Sequence, residues 1–341
     1  MAHEVETMAY AHVEGQKGWN NAYSHPWHIN DTQNKSVPVD PGATVAEMRT
    51  AAGLDWEVKR HSSFINVEGE LADGTKRVSM MKTGDDYLLR STDNSILTRV
   101  GPNWNEVNPE MFVEFFHDFC EEGSMEMNTM GSLKEGKQLF ALAKVNESFS
   151  LFRGKDVIES YFLFSNPMVY GKSLDLRFTP TRVVCDNTLT VALEGFDTDL
   201  GVKLSHRQPF DPDAVKQALG IAKEQLSSYK DAAEFLGSKR WTPESLNQYY
   251  SEVFPGTYKR KKEVEGVKLN KRGEIALGAL ETQPGAELGE GSWWQAYNSV
   301  TYAVDHLFGK TDGGRIDSAL FGSGQKTKVR ALDKALEYAD K

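Results

Sequence analysis

Between Lys259 and Arg272 seven cations, Lys259, Arg260, Lys261, Lys262, Lys268, Lys271 and Arg272, face only Glu263 and Glu265. Tyr258 precedes the run, and Trp241, Tyr249 and Tyr250 lie close to it in sequence. Cations interleaved with aromatic rings suit a single strand of nucleic acid, because phosphates meet the charges while bases stack on the rings. On this reading Tyr258, Lys259, Arg260, Lys261, Lys262, Lys271 and Arg272 form a nucleic-acid-binding loop, joined by Arg182 from the middle of the chain. The competing reading of the same run is a solvated surface loop.

Other groupings offer less chemistry. Phe178 to Val184 has the β-branched content of a strand, and Leu189, Ala192 and Leu193 have the spacing of a helix. A strand feeding a helix is therefore expected, with Asp186 or Asn187 as N-cap, Arg182 and Cys185 beside the turn, and Cys185 and Leu189 buried. Such a junction can hold an anion, but no glycine fingerprint accompanies it. Asp305 and His306 are adjacent, so on a helix their side chains diverge by about 100°, as at an ordinary surface helix end. The run from Gly322 through Lys326 and Thr327 lacks the spacing of a phosphate loop, and the His25–His28 pair has no second ligand pair nearby. With no Walker, Rossmann, nucleophile-elbow or Cys-x-x-Cys motif present, no catalytic residue, metal ligand or cofactor is assigned.

A chain of 341 residues with 39% hydrophobic and 26% charged content has enough apolar material for about two domains. The net charge of −10 excludes indiscriminate polyanion binding, yet its distribution is uneven. Up to Ser205 there are 19 basic and 30 acidic residues, a net of −11; from His206 onward 20 basic and 19 acidic give +1. Cys120 and Cys185 cannot build a disulfide framework and suit a reducing compartment. No apolar run approaches the roughly 20 residues of a membrane span, and a cytoplasmic protein is expected, in the host cell if viral.

Three regions follow from the patterning. Residues 1–54 read as an arm without periodicity, ending in a short helix from Val45 capped by Thr44. Residues 55–205 read as an α+β core. Short strands from Ser63 to Val100 with turns at Asp73-Gly74 and Asp85-Asp86 form a meander, and Asn108 and Pro109 open a helix whose Phe112, Phe115, Phe116 and Phe119 make an aromatic core stripe. Further strands from Met125 to Phe178 complete an antiparallel or mixed sheet with helices on one side. Residues 206–341 read as mainly helical: one helix from Asp211 towards Leu236, another capped by Thr242, the basic loop at 259–272, and a glycine-rich linker from Gly278 to Gly291. An amphipathic helix follows, with Trp293, Ala296, Tyr297, Val300, Ala303 and Val304 on one face.

Four stretches carry a family resemblance: Pro26-Trp-His28 with Ala52-Gly-Leu-Asp-Trp56; Thr129 to Lys137; Arg182-Val-Val-Cys-Asp-Asn-Thr-Leu189; and Trp294 to His306 with Leu320-Phe-Gly-Ser-Gly324. Together they resemble the phage- and plasmid-like family catalogued as a domain of unknown function, number nine-three-two. One departure is that Trp27-His28 is followed by Ile-Asn where the family shows Gly-Leu-Gly. The resemblance implies a mobile-element origin and supplies no catalytic residues. The expected function is a DNA-metabolism protein that binds or anneals single-stranded nucleic acid as a homo-oligomer, without a membrane. The alternative is a host-protein interaction or host-takeover protein.

Overall fold

The computed structural model describes residues 8–11, 36–39, 43–123, 125–169, 172, 174–182, 187–188, 202–204, 226–256, 269–310 and 312–341. The α+β class holds. An eight-stranded mixed sheet has the order β10-β9-β8-β7-β6-β1-β2, with β11 also paired to β9. Its strands are β1 (Met8–Ala11), β2 (Ser36–Val39), β6 (Glu126–Leu133), β7 (Gln138–Leu151), β8 (Asp156–Pro167), β9 (Leu174–Arg182), β10 (Asn187–Thr188) and β11 (Val202–Leu204). Among the described residues only the β1–β2 pair is parallel. The first region thus adds two strands to the main sheet, β1 pairing with β6. Main-chain hydrogen bonding recruits such short strands without any side-chain period to announce them.

A second sheet, β3-β4-β5, comprises β3 (Val58–Glu70), β4 (Lys76–Arg90) and β5 (Ile96–Val100). The turn expected at Asp85-Asp86 does not exist, because β4 runs through it. Ser62 pairs with Asp86 and Phe64 with Lys82, so the extra residues around Gly84 (φ +88°) are absorbed as a bulge. The segments expected at 138–144 and 149–152 are likewise one strand, β7, irregular between Val145 and Ser148.

Between the sheets, Thr44 starts α1 (Val45–Ala51) through a reciprocal capping box with Glu47. Helix α2 (Pro109–Gly123) begins after Asn108, whose side-chain oxygen accepts from Val58 N–H at 2.7 Å and so ties β3 to the helix start. The aromatic stripe is core: Phe112, Phe116 and Phe119 are buried, and Phe112 stacks on Phe164 of β8 at 4.9 Å. Cys120 lies in this core, where burial and then Glu121 push its thiol up to about 12.

The alternating residues of β7 and β8 go to two cores. Leu139, Ala141, Ala143, Phe162 and Phe164 pack with α2, while Phe140, Leu142, Tyr161 and Leu163 pack with Leu320 of the C-terminal region. Burial on both faces accounts for the continuous apolar runs Leu139–Ala143 and Tyr161–Phe164, which lack the alternation of a half-solvated strand.

The C-terminal region contains α3 (residues 226–238), α4 (Pro243–Val253), α5 (Lys271–Thr282), α6 (Trp293–Tyr302), a π-helical turn (Ala303–Leu307), α7 (Asp312–Phe321) and α8 (Ser323–Asp340). Thr242 caps α4 in a reciprocal arrangement with Ser245, and Pro243 occupies the first turn. Gly278 lies inside α5 rather than in a linker, and the linker itself is a set of tight turns. Helix α6 is more than amphipathic, since every residue from Trp293 to Thr301 is buried. It is the central rod around which α4, α5 and α8 pack. Two contacts fix it to the sheet. Trp294 Nε1 donates to Asp156 Oδ2 of β8 at 2.9 Å, and Phe152 at the β7–β8 turn fits against Gly289, where a Cβ would lie 2.4 Å from its ring. Gly289 also has φ +82°, so both its space and its backbone exclude a larger residue.

The strand-to-helix expectation at 178–193 is overturned where the structure describes it. Asn187 pairs with Arg182 and Thr188 with Thr181, so Asn187 begins an antiparallel return strand instead of capping a helix. The spacing of Leu189, Ala192 and Leu193 was the helical signal, but it is outweighed at Asn187 and Thr188 by pairing to β9, which a local period cannot report. Cys185 and Leu189 lie outside the described residues.

Candidate functional site

The C-terminal end of α6 is where unusual backbone and unusual charge coincide. Phe308 N–H donates to Ala303 O at 2.8 Å, five residues back, which closes the π-helical turn. One extra residue in a turn rotates the side chains that follow, and such bulges are frequent at functional sites. Within this turn Asp305, expected at a surface helix end, is instead buried, and its Oδ1 receives Lys328 Nζ of α8 at 2.9 Å. Burial pushes the Lys328 ammonium down, opposed by the charge and hydrogen bond of Asp305. The helix-end expectation fails for one of the two residues, since they point in different directions: Asp305 is buried in the helix bundle and His306 is only partly buried. α8 approaches closely at Gly324, where a Cβ would come 2.8 Å from Val304 Cγ1 and Ser318 O. Thr327 donates its hydroxyl to Ser323 O inside α8, so this segment is a helix rather than a phosphate loop.

The buried pair fixes what the turn presents outward. His306 lies 4.7 Å from the Tyr302 ring, Leu307 is exposed, and Phe308 is half-buried, edge-on to Phe254 at 5.8 Å. Over the Phe308 ring sits the Arg272 guanidinium at 5.4 Å. Lys271 and Arg272 are both exposed on the first turn of α5, as is Glu274. Beyond Phe308, Gly309 adopts φ +87° against the side chain of Arg315, and Lys310 is exposed. Phe308 is thus covered by the Arg272 guanidinium and flanked by Phe254, while Lys271 and Lys310 are exposed at neighbouring positions of the chain.

Helix α5 begins at Asn270, which joins two elements. Its Oδ1 accepts from Gly273 N–H at 3.0 Å as the N-cap, and its Nδ2 donates to Phe254 O at 2.6 Å. The two chain ends that bound residues 257–268 are thus clasped beside the Phe308 cluster.

The sequence-assigned residues fare unequally. Lys271 and Arg272 stand in this cluster, on a helix rather than in the expected loop. Tyr258, Lys259, Arg260, Lys261 and Lys262 lie outside the described residues. Arg182 ends β9, and its return strand β10 lies against α6. Tyr249 and Tyr250 are not available to bases: both are fully buried, donating to Ala331 O and bonded to Ser299 Oγ respectively. They fall on the inner side of α4, and proximity in sequence to the cations concealed that. Sequence reasoning missed Phe308, Tyr302, Lys310 and Arg315. Their spacing gave no signal, because the π turn that groups them breaks the 3.6 period.

The quoted stretches also converge in space. Lys134, in the β6–β7 turn of the second stretch, pairs with Asp317 of α7 at 2.6 Å, close in sequence to the Leu320–Gly324 stretch. The third stretch reaches α6 through β10.

A family model described as Domain of unknown function (DUF932) matches residues 96–331. The chain belongs to this family. No curated protein and no solved structure matches it. No described helix is long and apolar enough to cross a membrane.

Proposed function

We propose that this DUF932 member is a phage or plasmid protein of DNA metabolism that binds single-stranded nucleic acid. The observation that carries the reading is the Arg272–Phe308 stack, with Lys271 and Lys310 exposed next to its two members in the chain. Such a stack offers charges for phosphates and an aromatic surface for bases. The covalent chain brings further charge. Lys259, Arg260, Lys261 and Lys262 follow Phe254 within eight positions of sequence. The partly buried Phe308 and Tyr302 take the stacking role first expected of Tyr249 and Tyr250.

Binding per subunit is weak and non-sequence-specific, because the groups present are backbone-directed cations and rings rather than a fixed set of donors for base edges. Fluorescence anisotropy of a labelled single-stranded oligonucleotide, titrated over a range of salt, tests it. Each phosphate contact contributes about 0.7 to the slope of log K against log salt for single strands. Lys271→Ala with Arg272→Ala should lower the slope by about 1.4, and removing Lys259, Arg260, Lys261 and Lys262 together should abolish binding with the fold intact. No affinity at low salt, where the electrostatic contribution is greatest, would sink the reading and leave interaction with a host protein in its place.

A further inference from the structure

The β3–β4 ribbon is the largest feature that the nucleic-acid reading leaves unused. Strand β5 pairs with β4 only over Asp86–Leu89, so beyond this base β3 and β4 continue as a bare two-stranded ribbon. Every residue from Phe64 to Gly84 is exposed. Cross-strand partners share a face, which places Phe64, Val78 and Met80 on one side and Ile65, Val67 and Met81 on the other. These are large apolar groups left open: Phe64 is 51%, Val78 61%, Met80 69% and Met81 53% exposed. An isolated two-stranded ribbon is marginal in water, and apolar residues on both faces leave it without a covered side.

Charge selects the occupant. From Phe64 to Gly84 the acids Glu68, Glu70 and Asp73 balance the bases Lys76, Arg77 and Lys82, so the ribbon has no net attraction for a polyanion. The charges are segregated by strand: on the first face β3 carries Glu68 and Glu70, and β4 carries Lys76 and Lys82. A second ribbon related by a two-fold axis along its length sets β3 of one copy over β4 of the other. Glu70 then faces the partner subunit's Lys76, and the reciprocal contact follows from the symmetry. The same superposition lays Phe64 beside the aliphatic stem of the partner's Lys82 and next to the partner's Met80. Eight residues between Phe64 and Lys82 lie on that face, fewer than the roughly 20–30 that one side of a standard interface uses, so the contact is a small and reversible one.

We infer that the β3–β4 ribbon is a self-association arm that packs face to face on the same ribbon of a second copy of this chain. The inference stands apart from the nucleic-acid reading, and its test contains no nucleic acid. Sedimentation equilibrium of the full chain over a concentration series should show reversible association. Met80→Glu, at a position exposed in the single chain, should leave the far-ultraviolet circular dichroism spectrum unchanged and raise the dissociation constant at least about tenfold. Glu70→Lys should weaken association as well, and adding Lys76→Glu should restore it by re-pairing opposite charges across the interface. A chain that stays monomeric up to about 100 μM, or a Met80→Glu variant that associates like the unmodified protein, would overturn the inference. Failure of the double charge swap to recover what Glu70→Lys loses would overturn the two-fold register.

Discussion

Lys328 and Asp305 show how much one buried pair can govern. Two charges removed from water recover their desolvation cost only while each has the other, so deleting one leaves an uncompensated ion in the bundle. Lys328→Met should therefore destabilise the protein by about 3–5 kcal/mol, whereas Lys328→Met combined with Asp305→Leu should cost clearly less. Urea denaturation at an unchanged m-value reads both. Equal losses in the single and double variants would show that the pair acts only by filling space. Because Asp305 holds the π turn that sets His306 and Phe308 outward, Lys328→Met should also weaken oligonucleotide binding, although Lys328 is itself shielded from solvent. At this scale the sequence was legible in part. Its run of cations directed attention to Lys271 and Arg272, but the ring that Arg272 covers lies 36 positions later, and only the folded chain brings it there.

Among the elements, α8 is held to α4 by a surface clasp that responds to pH. Lys334 Nζ lies 3.0 Å from Glu252 Oε2 and 2.6 Å from Glu337 Oε2, and Tyr338 donates its hydroxyl to Glu252 Oε1 at 2.9 Å. Burial pushes the Glu252 carboxyl up, but the hydrogen bonds from Lys334 and Tyr338 outweigh it and hold the group below its ordinary value of 4.5. Hydrogen bonds from Lys334 and then Lys341 hold Glu337 down at about 2. Both carboxyls are depressed on folding, so their contribution is complete above the ordinary carboxylate range and is lost as pH falls through the folded values. The melting temperature should decline as pH drops from about 5 towards 2, and Glu252→Gln should flatten that decline; parallel curves for the two proteins would remove the clasp from the account. These groups are partly exposed, and salt should reduce the effect.

The elements also show what a pattern can and cannot reveal. Caps are local, and Thr44 and Thr242 are placed where the sequence sets them. The aromatic stripe of α2 is legible because its spacing matches the face it buries. Strand continuity is not local. Asp85 and Asp86 resemble a turn, yet they sit inside β4 because the neighbouring ribbon is solvated on both faces and asks for no alternation. Asn187 returns along β9 because of a partner strand that no helical or alternating period contains.

At the scale of the whole molecule, the sheet and the helices are joined through shared side chains. Leu320 of α7 completes a core with Leu133, Phe140, Leu142, Tyr161 and Leu163, and Leu151 and Ile158 of the β7–β8 hairpin belong to the core built by α3, α4, α6 and α8. Trp294 adds a buried hydrogen bond from α6 to Asp156. A boundary near residue 205 separates strand-rich from helix-rich composition, but these contacts cross it, and the family match from 96 to 331 spans it as well. Cooperative unfolding requires that the loss of one core expose surface in the other, and these shared residues supply that coupling. Sheet and helices should therefore melt in one transition, followed by far-ultraviolet circular dichroism for the helices and by the β component of the infrared amide I band for the sheet. Leu320→Ala, which removes buried methyl groups where helix meets sheet, should lower stability by about 2–5 kcal/mol and move both signals together. If the two signals separate in the unmodified protein, with the helices melting at one temperature and the sheet at another, the coupling fails. If they separate only in Leu320→Ala, then Leu320 is itself the joint through which one half stabilises the other.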